Sequence, residues 1–258
     1  MTAAVPTDTT APALLAGLAA DRATGALTTA SGVLYLSAGE VVHVESALSP
    51  ALGDLLTRSG ALAPDGWWEA VRRAGARRRV GRHLVESGRL TSGALELCHL
   101  GALFDAAYFA LVHDDRPARF RPGVAHWLGA VRPVPVAAVL RESRRRRALL
   151  QRIWPDPAVD TAPLTRTSGA GRADLPPRRG RALALVDGAS TAAQIASALA
   201  CRTFHTLVEL RRLAADGLVT PAPPRPAAAL PGPAAPGTAW DEPDTALLRR
   251  LLDALEAL

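Results

Sequence analysis

The chain has 258 residues, with 30 basic and 24 acidic side chains, so its formal net charge is +6. All 30 of those basic residues are arginine, and the absence of lysine excludes Schiff-base catalysis and a P-loop lysine. Two cysteines cannot make a disulfide scaffold, and no segment has the roughly 18 uninterrupted apolar residues of a membrane helix. The N-terminus lacks the basic start and following apolar run of a secretory signal. We therefore expect a cytoplasmic protein with no membrane contact.

The first elements predicted along the chain are a short helix and a group of β-hairpins. Residues 13–20 are apolar and end at Asp21, which indicates a small helix. Branched and aromatic residues between glycine-containing turns predict strands at 25–28, 32–36 and 41–45.

The next stretch contains an internal repeat. Residues 52–62 recur as residues 80–90, with the glycines, leucines and serines in matching places. Each copy is typical of a short helix closed by a C-terminal glycine, and a second helix follows each one, from about Asp65 and about Ser92. Residues 51–113 are therefore predicted as two helix pairs.

The remainder of the chain is predicted as a short strand, a long helix and two smaller units. Residues 118–122 indicate the strand, and Pro135 can open the helix at its first turn. Proline, threonine and glycine predict a linker at 155–177, a compact helical unit follows at 178–220, and 221–243 is an Ala/Pro-rich linker without regular structure.

Three stretches of this chain together resemble a known bacterial family. The run 25–44 is similar to the PatA-like N-terminal (PATAN) domain, residues 103–123 resemble the next hallmark of that family, and 178–220 resembles the helical unit that often ends such proteins. The resemblance covers roughly 12–220. It implies a PATAN-like sensor or adaptor domain over 10–154, in a family associated with signalling, small-GTPase regulators and transcriptional regulation.

The repeat carries a second resemblance. Residues 79–88, with Arg79 at the start, are similar to the opening of the N-terminal module of type II secretion ATPases, which binds cyclic di-GMP. The first copy has Ala51 where that arginine would lie. The resemblance implies a shared helical fold, and a cyclic-dinucleotide receptor is kept as one alternative.

The unit at 178–220 is interpreted as a winged-helix-like helix-turn-helix. Helices are predicted at 178–186, at 191–199 with Ser190 as the N-cap, and at 203–216. In the third helix an apolar stripe points inward, so the polar side chains on the opposite side form the candidate DNA-binding site. That site consists of Arg202, Thr203, Thr206 and Arg212.

The last fifteen residues, 244–258, form a candidate docking helix. A leucine stripe lies along one side, and a helix of this length is only marginally stable alone, so we expect it to bind a protein partner or a second copy of the chain. The residues predicted to dock are Leu248, Leu251, Leu252 and Leu255.

The other polar residues predict no catalytic site, metal site or cofactor. None of the six histidines forms an i, i+4 pair, and no cysteine pair has zinc spacing. The arginine clusters are interpreted as solvated faces, and most aromatic residues as core.

Taken together, the sequence predicts an α+β protein. An N-terminal β-hairpin sheet with helix pairs is followed by the small helical unit, a disordered linker and the terminal amphipathic helix. The predicted function is a non-enzymatic regulator: a PATAN-type domain joined to a helix-turn-helix that regulates transcription. The alternatives are a protein–protein adaptor of a small-GTPase or ATPase signalling system without DNA binding, and the cyclic-dinucleotide receptor.

Overall fold

The computed structural model describes residues 10–112, 118–172 and 174–222. The Ala/Pro-rich linker from residue 223 onward and the predicted docking helix 244–258 lie outside these residues. The predictions for Leu248, Leu251, Leu252 and Leu255 therefore stay predictions. Within the described residues the fold is mixed α+β, as the sequence predicts.

A five-stranded antiparallel sheet forms the N-terminal half. Its strands are β1 (Gly25–Thr28), β2 (Val33–Ser37), β3 (Glu40–Glu45), β4 (Arg119–Pro122) and β5 (Val134–Pro135), in the spatial order β4-β1-β2-β3-β5. The hairpins join the three middle strands, whereas the two edge strands come from a later stretch of chain. The strands predicted at 25–28, 32–36, 41–45 and 118–122 are confirmed within one or two residues.

Three helices supply the core that packs with this sheet. They are α1 (Ala11–Ala20), α5 (Ser92–Val112) and α6 (Val136–Ile153). Leu27 and Leu34 of the sheet pack with Leu15 of α1 and Leu103 of α5, all of them completely buried. Such burial of leucine side chains stabilises the fold by roughly 2 kcal/mol each.

The predicted repeat consists of helix pairs. The first pair is α2 (Leu52–Arg58) with α3 (Pro64–Ala74), and the second is α4 (Val80–Glu86) with α5. Gly60 and Gly88 follow the first helix of each pair with φ values of +73° and +68°, a conformation that glycine adopts without strain.

The segment 155–177, predicted as a linker, contains regular structure instead. It includes α7 (Ala158–Thr161), β6 (Leu164–Arg166) and a 3-10 turn (Ala170–Arg172). Val159 and Leu164 are fully buried. The linker prediction is wrong because elements of three or four residues are too short to show periodicity against a background of proline and threonine.

The three helices of the C-terminal unit lie near their predicted positions. They are α8 (Pro177–Ala184), α9 (Ala192–Ala198) and α10 (Thr203–Ala215), and β7 (Val219–Pro221) pairs antiparallel with β6. The N-cap of α9 is Thr191 rather than Ser190. Thr191 and Gln194 form a reciprocal capping box.

The C-terminal helices share a core with the earlier part of the chain. Tyr108 and Phe109 of α5 and Leu150 of α6 pack with Leu207 and Leu210 of α10. The described residues all belong to one compact unit. Within them, residues 92–111 of α5 form the one helical stretch long and apolar enough to cross a membrane, and 67% of it is buried inside the protein, as expected for a core helix.

Candidate functional site

The predicted DNA-reading face of α10 is largely covered by other parts of the protein. Thr203 and Thr206 are 1% and 3% exposed, so the prediction that they face outward is wrong. Arg202 is half-buried, and only Arg212 of the four predicted residues is exposed. The apolar stripe is correct, since Phe204 and Leu207 are buried as predicted.

The N-terminus of α10 is closed by a carboxylate from α5. Asp105, which is completely buried, accepts hydrogen bonds from the backbone N–H groups of Thr203 at 2.8 Å and Phe204 at 3.0 Å. It also accepts one from the Ser49 hydroxyl at 3.0 Å. A carboxylate there satisfies free N–H donors and complements the helix dipole. The helix end that would enter a major groove is therefore occupied by the protein itself.

A cavity of about 690 Å³ lies beside α10, between this helix, α6 and α8. We call it the arginine cavity. Its charged lining residues are five arginines and two glutamates: Arg145, Arg146, Arg178, Arg181, Arg202, Glu142 and Glu209. Leu149, Leu199, Phe204 and Val208 supply apolar surface, so the cavity combines positive charge with an apolar lining.

Both glutamates of the arginine cavity are already paired. Glu142 forms ion pairs with Arg146 at 3.0 Å and with Arg145 at 3.3 Å. Glu209 forms an ion pair with Arg212 at 2.9 Å and lies 3.5 Å from Arg179. Neither carboxylate is left to neutralise the remaining arginines.

Three arginines of the cavity lack such a partner. Arg178, Arg181 and Arg202 form no ion pair with any residue of the described part of the chain. The Arg202 guanidinium packs against the backbone of α5, where a Cβ added to Gly101 would lie 2.6 Å from its Cζ. The cavity therefore presents cationic groups whose charges are balanced by no carboxylate of residues 10–112, 118–172 or 174–222.

Arg146, which lines the cavity, is held in place by several contacts. Its guanidinium donates to the Phe104 carbonyl at 3.0 Å, lies 3.6 Å from Asp105 and sits 4.5 Å from the centre of the Phe204 ring. Cation–π contact and charge-assisted hydrogen bonds fix it. Nearby, burial and then the charge of Arg202 lower the pKa of His205, so its imidazole is neutral at pH 7.

A second polar cluster, which the sequence did not predict, lies on the sheet. His43 and Glu45 of β3, Tyr35 of β2 and His126 of the loop after β4 come together there, with His99 of α5 beside them. The His43 ring stacks on His126 with centroids 4.1 Å apart and on His99 at 5.6 Å.

Burial changes the pKa values of two histidines in this cluster. It lowers the pKa of His43 to about 3 and that of His99 to about 4, so both rings are neutral. A hydrogen bond from His126 holds the pKa of Glu45 below its usual range. The pairing of Tyr35 with His43 follows from strand alternation, but nothing in the sequence indicates that His126, from a distant loop, joins them.

Comparison with known proteins adds no family to this description: no family model, no curated protein and no solved structure matches the chain.

Proposed function

We propose that this chain is a non-enzymatic regulatory protein whose C-terminal helical unit binds a small organic anion in the arginine cavity. The observation that carries the proposal is the set of three cavity arginines, Arg178, Arg181 and Arg202, without a carboxylate partner among the described residues. Arginine presents a planar fork of donors that matches phosphate and carboxylate oxygens.

The shape of the cavity favours a ligand with an apolar part as well as a charge. A volume of about 690 Å³ lies within the range of small-molecule sites. Leu149, Leu199 and Val208 line it beside the arginines. A ligand that buries an apolar group there and places a phosphate or carboxylate among the guanidiniums satisfies both surfaces.

This proposal keeps the predicted regulatory role but changes its site. The paired strands β6 and β7 beside α8, α9 and α10 support a relationship to winged-helix units. The covered N-terminus of α10 argues against base reading through Thr203 and Thr206. A PATAN-type signalling role and a protein partner or homodimer stay predictions.

Nucleotide titration of the full chain tests the proposal. We expect ATP, used as a probe with an apolar base and a polyphosphate, to bind by isothermal titration calorimetry. Arg178→Gln with Arg181→Gln should weaken binding by at least roughly tenfold, because each lost charge-assisted hydrogen bond contributes about 1.5–3 kcal/mol.

The matched control is Arg72→Gln with Arg77→Gln, which removes the same charge from exposed positions at and just beyond α3. Its affinity for ATP should equal that of the wild type. Equal losses in both variants would show diffuse attraction and contradict a cavity site. Duplex DNA is the second probe: DNA binding that only the cavity variant loses and that ATP does not compete would overturn the small-anion proposal in favour of DNA.

A further inference from the structure

We propose that His43, Glu45 and His126 form a binding site for a divalent transition-metal ion of the zinc class. The ligands would be the Nε2 atoms of the two histidines and a carboxylate oxygen of Glu45. The site lies where the chain between β4 and β5, residues 123–133, crosses β3. We call residues 123–133 the crossover segment.

The three ligand groups are already close together. One ligand atom from each of the three residues lies within 4.8 Å of the other two. Oε1 of Glu45 is 3.0 Å from Nε2 of His126 and 4.0 Å from Nε2 of His43. Bonds of about 2.0–2.2 Å in a tetrahedral zinc site place ligand atoms roughly 3.3 Å apart. Because the His43 and His126 rings are stacked with their planes 22° from parallel, at least one ring must turn about its side-chain torsions before both Nε2 lone pairs point at one ion.

The donor set fits this class of ion. Two imidazoles and one carboxylate are typical ligands of zinc and its neighbours in the transition series. Tyr35 supports the carboxylate from outside the ligand set, because its hydroxyl donates to Oε2 of Glu45 at 3.1 Å. Such outer hydrogen bonds orient ligands and strengthen metal binding.

Buried nitrogens without hydrogen-bond partners lie beside the proposed ligand atoms. Nδ1 of His43 is buried without a hydrogen-bond partner among the described residues, and neither nitrogen of His99 has one of good geometry, although the Val42 backbone lies near it. Buried polar groups in folded proteins are nearly always satisfied. An ion on Nε2 would bind the His43 imidazole at its other nitrogen and fix the ring proton on Nδ1, which has no acceptor among the described residues.

Binding changes two hydrogen bonds of His126. In the metal-free protein, Nδ1 of His126 accepts from the Leu128 N–H at 3.2 Å, so the ring proton lies on Nε2 and is donated to Glu45. Coordination through Nε2 moves that proton to Nδ1, which breaks both the bond to Glu45 and the bond from Leu128. The two hydrogen bonds together contribute about 2–4 kcal/mol, which is small beside the free energy of zinc binding to protein sites.

The ion has a route from solvent. His43 and Glu45 line a second cavity of about 650 Å³, and the Glu45 side chain is 45% exposed. A water molecule from this cavity can serve as the fourth ligand. The bound ion would tie the crossover segment to β3 through His126.

Metal titration of the full chain after treatment with EDTA tests the site. We expect one equivalent of Co²⁺ to give the visible absorption of a tetrahedral site, and Zn²⁺ to displace it. The Leu128 amide resonance should shift on addition of Zn²⁺, because its acceptor is lost. Glu45→Gln should weaken Zn²⁺ binding by at least roughly tenfold.

The controls separate this site from adventitious binding and from misfolding. His205→Gln removes a histidine that is not one of the proposed ligands and should leave the affinity unchanged. His126→Gln should abolish the Co²⁺ spectrum, and because Glu45 is half-exposed, Glu45→Gln gives a folded variant even if His126→Gln does not. Absence of stoichiometric binding, or binding unchanged in Glu45→Gln, would overturn the proposal.

Discussion

Arginines in the C-terminal half of the molecule have two opposite kinds of surroundings. Arg211 of α10 is buried and bonds both oxygens of Asp160 in α7, at 2.7 and 2.6 Å, and it also donates to the Trp154 carbonyl. Arg178 and Arg181 of α8 are exposed and have no carboxylate partner among the described residues. The same residue type therefore stabilises the fold in one place and, in the other, carries a charge that no carboxylate in the described part of the chain balances.

This contrast predicts that substitutions of the two kinds of arginine affect the stability of the fold differently. Burial of a charge costs several kcal/mol unless it is paired, so Arg211 and Asp160 must stay together. An exposed arginine stays hydrated and has no such cost, and its substitution usually changes stability by less than about 0.5 kcal/mol. Measurements of unfolding should therefore distinguish the two groups.

The largest effect is expected at the buried pair. Arg211→Met should lower the free energy of unfolding by about 3–5 kcal/mol, because it leaves Asp160 buried without its partner. Chemical denaturation measures this. The double variant Arg211→Met with Asp160→Leu should recover much of the loss, since neither charge is then buried. If the double variant is as unstable as the single one, packing rather than charge explains the effect.

A smaller effect is expected at Tyr108, which lies beside the same pair. Burial, followed by the charge of Asp160, raises the pKa of Tyr108 from 10.0 to about 12. The folded state therefore holds the proton more tightly than the unfolded state. The resulting stability is complete below pH 10 and is lost as the pH rises toward 12, by roughly 1 kcal/mol at pH 11.

Denaturation at several pH values checks this expectation, with Tyr108→Phe as the comparison. Between pH 9 and 11, about one unit on either side of the ordinary tyrosine pKa, the wild type should lose more stability than the variant. Parallel plots of stability against pH for the two proteins would show that Tyr108 does not cause the pH dependence.

The smallest effect on stability is expected in the arginine cavity. Arg178→Gln with Arg181→Gln should change the free energy of unfolding by less than about 0.5 kcal/mol and can even raise it by reducing repulsion. Thermal and chemical unfolding measure this difference. A loss of several kcal/mol would mean that these arginines belong to the structural group and not to a binding site.

Local sequence patterns predicted the parts of the fold that depend on near neighbours. The hairpin strands follow from alternation and turn residues, and the repeat follows from glycines at matching helix ends. The apolar stripe of α10 was correct for the same reason. These features need no knowledge of distant residues.

The errors come from contacts across long sequence separations. Thr203 appeared exposed because it lies opposite the apolar stripe, but Asp105 of α5 covers it from 98 residues away. His126 reaches Glu45 over 81 residues. The four-residue helix α7 has a buried aspartate whose partner, Arg211, comes 51 residues later. No periodicity within a short window can show such pairings.

The origin of the two edge strands has a consequence for how the chain avoids aggregation. β4 and β5 are consecutive in sequence, yet they cover opposite edges of the β1–β2–β3 meander. During synthesis the meander emerges first, with unpaired backbone groups along both sides, and such edges are templates for pairing with other chains. Their partners arrive only with residues 119–135, after the whole of α5; β4 pairs along the whole of β1, whereas β5 pairs with β3 at Glu40 and Val41. A single short stretch of chain thus supplies a partner strand to both edges of the meander, and products truncated before it would leave both edges unpaired.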